Sequence, residues 1–380
     1  MNNARAHVVV LARQAGGAGS VSLVTRHHAR ELAREFRVTI ISDSLNHSSL
    51  GDVDGVVVKP REYNVLRRFA HVPNEFAFAR AARKALFAMT DVDFVLCEGD
   101  VPAAIAARAL KRERGTPYGI VTHGDMATRP KGSFDPRLSA LYRWAEQRSA
   151  RDADLVVALG STMAELAQRR GARDEAIAIV PNGVDVEEIG IDPNAGRADT
   201  DTIELLFVGR LAIEKGVFPL IDAARILRDR GVAFHLTIVG GGPLADAVCD
   251  RVSGLNVDLL GEQPRNFLGA HFQRADVAIV PSLNEPFGLV IVEALASGTP
   301  VIASNVDDIP MIVRHDENGL LVPANDADAL ANAIELLALD RGRLQRLRER
   351  ARPSVLPRFS WEESGRLLRD AVRARLRHNR

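Results

Sequence analysis

The sequence has 380 residues, 46% of them hydrophobic, with 49 lysines and arginines balanced by 49 aspartates and glutamates. This length exceeds the about 250–300 residues at which single cores stop growing, so two domains are expected, and the zero net charge argues against a general nucleic-acid binder. The first apolar run is only about six residues long and no stretch approaches the about 20 that span a bilayer, so a cytoplasmic protein is expected, at most peripheral to the inner face of a membrane.

In chain order, strands are expected at 7–12, 37–42, 53–59, 93–97, 118–122, 155–159 and 176–180, with helices such as 20–35 and 102–114 between them. The second half continues with strands at 203–208, 233–239, 257–260, 277–281, 300–303 and 319–322, and helices at 217–229 and 326–339. Several strands are nearly continuous apolar runs, as in sheets covered by helices on both faces. The alternation predicts an α/β protein of two Rossmann-like, doubly wound parallel sheets. Residues 187–202, EEIGIDPNAGRADTDT, are polar and lack apolar periodicity, which sets the expected boundary near 195: domains 1–194 and 195–360, facing each other across a cleft. Ligands of such sheets bind beyond the carboxyl ends of the strands, so the loops there carry the search for function. Two cysteines, Cys97 and Cys249, form neither a disulfide framework nor a zinc pattern and are expected as buried, reduced thiols.

The most specific segment is 281–304, PSLNEPFGLVIVEALASGTPVIAS. A strand ends, a loop carries Glu285, a helix is expected to begin around Phe287 and Gly288, and Glu293 follows eight residues after Glu285. The free amides near Phe287, Gly288 and Leu289 would form a half-positive pole suited to a phosphate, and a carboxylate on each side would suit sugar hydroxyls. Upstream, VGRLAIEKG follows the strand 203–208 and presents Arg210 and Lys215, two cations suited to a diphosphate through charge-assisted hydrogen bonds.

These segments, with VGGGPL at 239–244, VPNGVD at 180–185 and NGLLVPANDADALANAI at 318–334, resemble in order the donor-binding half of family-4 retaining glycosyltransferases. The resemblance implies the GT-B fold and transfer of a sugar from a nucleoside diphosphate sugar to a hydroxyl of a saccharide or lipid-linked acceptor. A UDP-sugar is the expected donor, with a GDP-sugar as the alternative. It implies that Arg210 and Lys215 hold the diphosphate, Glu293 the ribose hydroxyls and Glu285 the hydroxyls of the transferred sugar, with backbone contacts from Phe287, Gly288 and Leu289. His123, in VTHGD, matches the histidine that reaches the donor sugar from the first domain. The glycine loop of Gly16 and Gly17 would approach the diphosphate, and the helix at 361–378 resembles one that packs back onto the first domain. Attack is then expected on the front face, with the leaving phosphate taking the acceptor's proton.

Other readings compete. The glycine patterns at 17–22 and 240–245 suit a nicotinamide oxidoreductase only in part, and the second follows the wrong strand of its half. A sugar-nucleotide epimerase or phosphorylase shares the architecture, as would a non-catalytic sugar-nucleotide-binding protein. Five Asp-x-Asp pairs occur, too many in this chain to mark a metal site, and the two cations with the helix pole can neutralise a diphosphate, so no metal or other cofactor is expected. Finally, 59–89 holds seven basic residues against two acidic ones, a net charge of about +5. On a helix over 73–89, Phe78, Ala82, Ala85, Leu86 and Met89 share a core face, while Phe76, Arg80, Arg83, Lys84 and Phe87 share another that suits either an anionic membrane or burial of the two rings against a neighbouring loop with the cations solvated.

Overall fold

In the computed structural model the described residues are 5–13, 15, 16, 19–45, 50, 53–59, 71–99, 101–123, 136–190, 192 and 201–378. Two compact units emerge: Met1–Asn182 with Trp361–Arg380, and Gly183–Ser360.

The first unit carries strands β1 (His7–Leu11), β2 (Arg37–Ser42), β3 (Asp54–Val57), β4 (Phe94–Glu98), β5 (Tyr118–Thr122), β6 (Leu155–Ala158) and β7 (Ile177–Ile179). Helices α1 (Ser20–Ala33), α2 (His71–Ala88), α3 (Val101–Arg114), α4 (Pro136–Asp152) and α5 (Ser161–Arg169) join them. All pairings are parallel, in the order β3-β2-β1-β4-β5-β6-β7. Side chains alternate across a strand, and β1 shows why its run is wholly apolar. Val8 and Val10 pack into a core with Ala29 and Leu32 of α1, whereas Val9 and Leu11 pack into another with Phe78, Ala82 and Leu86 of α2 and Ala103, Ala104, Ala106 and Ala107 of α3. Each valine, leucine or phenylalanine side chain among them contributes roughly 1.5–3 kcal/mol when taken fully from water.

The second unit carries β8 (Ile203–Val208), β9 (Phe234–Val239), β10 (Val257–Gly261), β11 (Val277–Val280), β12 (Val301–Ser304) and β13 (Gly319–Val322). Its helices are α6 (Val217–Asp229), α7 (Ala245–Arg251), α8 (Leu268–Arg274), α9 (Leu289–Ala296), α10 (Ile309–Ile312), α11 (Ala327–Leu339) and α12 (Arg341–Val355). The order β10-β9-β8-β11-β12-β13, again parallel, reverses direction between β8 and β11, the switch point where such sheets bind ligands. Asp326 caps α11 by accepting the Ala329 N–H at 2.8 Å, so that helix begins one residue later than its pattern suggests.

The last helix, α13 (Trp361–His378), belongs to the first unit. Leu368 and Val372 bury into the core that holds Ala29 and Leu32, Arg369 donates to Glu31 at 2.6 Å, and Arg373 pairs with Glu35.

Two expectations need correction. The units divide between Asn182 and Gly183, not near 195. The polar stretch after Asn182 sends its backbone bonds into the second unit: Val184 N–H donates to Phe359 O at 2.8 Å, and Ile189 O accepts from Gly269 N–H at 2.6 Å. Its buried anchors, Val184 and Ile189, are too few to register as a period. Cys97 is buried as expected, but Cys249 is exposed, because α7 turns only Val248 fully inward.

Candidate functional site

In the second unit the loops after β8 and β11 are locked together. Gly216 has φ +66°, and a Cβ there would lie 1.8 Å from Pro281 O, so only glycine allows the close approach. Leu283 N–H donates to Glu214 O at 2.8 Å across the same seam. The result places Lys215 Nζ 2.6 Å from Glu285 Oε2, which also accepts from Ser282 Oγ at 3.1 Å. The Glu285 backbone is fixed in turn by Asp307, whose carboxylate accepts the Glu285 N–H at 2.7 Å and the Asn284 amide at 3.0 Å. Lys215 and Glu285, 70 residues apart in sequence, therefore meet beyond the carboxyl ends of neighbouring strands.

The helix next to them starts later than expected. Gly288, in the left-handed region, accepts from Ile291 N–H at 2.9 Å, and α9 begins at Leu289. Gly288 O also takes the Val292 amide, so the amides of Leu289 and Val290 are the ones that precede the first intrahelical bond. Phe287 is nearly buried, its ring edge-on to Phe359 at 5.9 Å, so its side chain is core and its backbone alone remains for a ligand.

Glu293 and Arg210 stand apart from that pair. Glu293 is buried on α9 and ion-paired with Arg265, whose Nε lies 3.6 Å from Glu188. Burial pushes the Glu293 carboxyl up; the Arg265 guanidinium offsets this only in part, leaving it above its ordinary value. Arg210 is exposed and pairs with Glu214 at 3.6 Å. The glycines of VGGGPL pack against this loop: a Cβ on Gly240 would lie 1.9 Å from Gly209 O, and Leu211 N–H donates to Gly241 O at 2.8 Å. Their place in the chain follows from holding Arg210's loop.

In the first unit His123 follows β5, and its Nε2 lies 2.9 Å from Glu98 Oε2 at the end of β4. The other oxygen of Glu98 lies 2.8 Å from His28 Nδ1 on α1. Burial pushes the Glu98 carboxyl up, yet the two imidazoles outweigh it and hold the group down to about 2. Gly16 N–H donates to Ser44 O at 3.0 Å in the loop after β1, while Gly17 lies outside the described residues.

On α2, Phe78, Ala82 and Leu86 are buried while Phe76, Arg80, Arg83 and Lys84 are exposed. Phe87 is half-buried beneath the guanidinium groups of Arg83 and Arg114, 5.0 and 5.3 Å from its ring centre. Arg61, Glu62, Arg67 and Arg68 of the basic stretch lie outside the described residues. Among the described residues, no helix is long and apolar enough to cross a membrane.

Sequence reasoning missed Glu98, His28, Arg265 and Asp307. A carboxylate closing an apolar strand, as in FVLCE, was the one signal available for Glu98. Nothing local marked the rest.

Comparison with known proteins agrees with this architecture. Residues 189–354 match the family model for glycosyl transferases group 1, and 18–188 that for glycosyltransferase family 4. A glycogen synthase of Mycobacterium tuberculosis is 31% identical, over 67% of this chain and 63% of its own, so the match spans less than two thirds of that relative. A putative colanic acid biosynthesis glycosyltransferase, WcaL of Escherichia coli, is 30% identical over 72% of this chain and 68% of its own. Among solved structures, Anabaena HepE in complex with UDP-glucose superimposes with a TM-score of 0.75 at 19% identity, covering 97% of this chain and 99% of that one. By strand order, family match and relatives alike, the chain belongs to glycosyltransferase family 4 and has the GT-B fold.

Proposed function

We propose that the chain is a retaining glycosyltransferase that moves a hexose from a nucleoside diphosphate sugar to a hydroxyl of a saccharide or lipid-linked acceptor, as in the assembly of cell-envelope polysaccharide. The observation that carries the proposal is the Lys215–Glu285 pair, fixed at the switch point of the second sheet beside the start of α9. A UDP-sugar is the first choice of donor, supported by the UDP-glucose that HepE holds on the same fold, and a GDP-sugar is the second.

As the bond from the anomeric carbon to the diphosphate lengthens, negative charge grows on the phosphate oxygens. Lys215, Arg210 and the amides at the mouth of α9 are the groups assigned to that charge, and stabilisation given where charge develops is what accelerates the step. Lys215 is part-exposed and can share its ammonium between Glu285 and a phosphate. Glu285 then accepts from hydroxyls of the transferred sugar, Glu293 from those of the ribose, and His123 orients the sugar from the first unit. Cations supply the neutralisation, so the reaction proceeds without a metal. The test is the anomeric configuration of the product by NMR, with and without chelator. Retained configuration in both is the expected result; an inverted product, or activity lost to chelator and restored by manganese, contradicts it.

A further inference from the structure

Glu98, His28 and His123 come from three elements, β4, α1 and the end of β5, and meet at the carboxyl end of the first sheet. An ionised carboxylate only accepts hydrogen bonds, so each imidazole must donate. His28 therefore gives Nδ1–H to one oxygen at 2.8 Å, and His123 gives Nε2–H to the other at 2.9 Å. The side chains of His28 and Glu98 are 0% exposed, and His123, at 11%, is the member of the cluster that reaches the surface. A buried charge is costly unless paired and hydrogen-bonded, and here the whole arrangement terminates on one accessible ring.

The backbone holds that ring as well. Gly99, next to Glu98, has φ +71°, and a Cβ there would lie 2.5 Å from His123 Cδ2. Carboxylate and glycine thus fix the ring from two sides. Behind them, His27 stacks on Trp361 with centroids 4.2 Å apart and planes 4° apart, which ties the His28 turn of α1 to α13.

We propose that Glu98 is the positioning residue for His123: anchored by His28, it accepts the hydrogen bond from Nε2–H, keeps the proton on that nitrogen and leaves Nδ1 as the nitrogen that accepts a hydroxyl of the transferred sugar. The proposal rests on the reading of His123 as a donor-sugar contact. In a neutral imidazole the tautomer is set by whichever nitrogen already has a partner, so removing Glu98 would let the proton move to Nδ1 and turn an acceptor into a donor.

Three measurements test it. Long-range nitrogen–proton NMR of the wild-type protein at neutral pH should show His123 protonated on Nε2 with Nδ1 bare; a ring protonated on Nδ1, neutral or as the imidazolium, overturns the proposal. Glu98→Gln should lower kcat by about tenfold or more while leaving the affinity for free UDP unchanged. The same substitution in a His123→Ala background should then lower kcat no further, because Glu98 acts only through the ring. An equal loss in both backgrounds would make Glu98 a support of the fold and overturn the proposal. Should Glu98→Gln not fold, the wild-type spectrum decides alone. A wild-type protein that binds nucleotide but transfers no sugar would sink the transferase reading and leave the tautomer measurement standing.

Discussion

The two units share one strand order through their first six strands, yet they end in opposite electrostatic designs. In the second, Lys215 and Glu285 form a pair that is 28% and 13% exposed, carried on loops. In the first, Glu98 is sealed between two histidines. An accessible pair can be re-partnered, since water and ligand can share its bonds at small cost. A sealed cluster cannot, because breaking it strands a charge in a low-dielectric interior. Under the proposed function the open pair is the one that exchanges partners with an arriving diphosphate, and the closed cluster is the one that holds one ring in one orientation.

The largest effect expected from this contrast lies in the cations of the second unit, Lys215 of the open pair and the exposed Arg210. Lys215→Ala or Arg210→Ala should reduce turnover by about ten- to hundredfold, at ~1.4 kcal/mol per tenfold, with the melting temperature little changed. Near-native transfer by either variant would remove the cation from the donor site. The carboxylates sharpen the point. Glu293→Ala should weaken binding of the free diphosphate, whereas Glu285→Ala should spare it and damage use of the whole donor. Equal loss in both would erase that division. A pH series adds a sign. Because burial holds the Glu293 carboxyl above its ordinary range, nucleotide affinity should fall further on acidification in the wild type than in Glu293→Ala, and equal falls in the two would remove Glu293 from the nucleotide site.

What the sequence disclosed follows the same divide. Lys215, Glu285 and Glu293 sit in two short contiguous segments, one after β8 and one after β11, so strand ends and spacing suffice to place them. The pairing of Lys215 with Glu285 was not legible, because it depends on the Gly216–Pro281 approach and on Asp307 reaching back to Glu285. Glu98 is 70 residues from His28 and 25 from His123, and no motif spans such gaps. The start of α9 falls at Leu289 because Gly288 takes φ +91°, a left-handed turn that residue spacing does not reveal. Periodicity found the strands buried on both faces; it overextended β3, an edge strand with no fully buried residue.

The smallest expected effect concerns α2. Phe76 is 43% exposed beside Arg80, Arg83 and Lys84, and two readings of this face compete, contact with an anionic membrane and a set of simply solvated cations. Wild-type protein should co-sediment with anionic but not neutral vesicles at low salt, and a Phe76→Ser, Arg80→Glu, Arg83→Glu variant should not. Absence of wild-type binding would favour a soluble acceptor.

The division of labour between the units is tested most directly by calorimetric titration of free UDP and GDP into the wild type, Lys215→Ala and His123→Ala. The wild type is expected to bind one of the two nucleotides, Lys215→Ala to lose most of that affinity, and His123→Ala to keep it. Binding abolished by His123→Ala, or untouched by Lys215→Ala, would contradict that division.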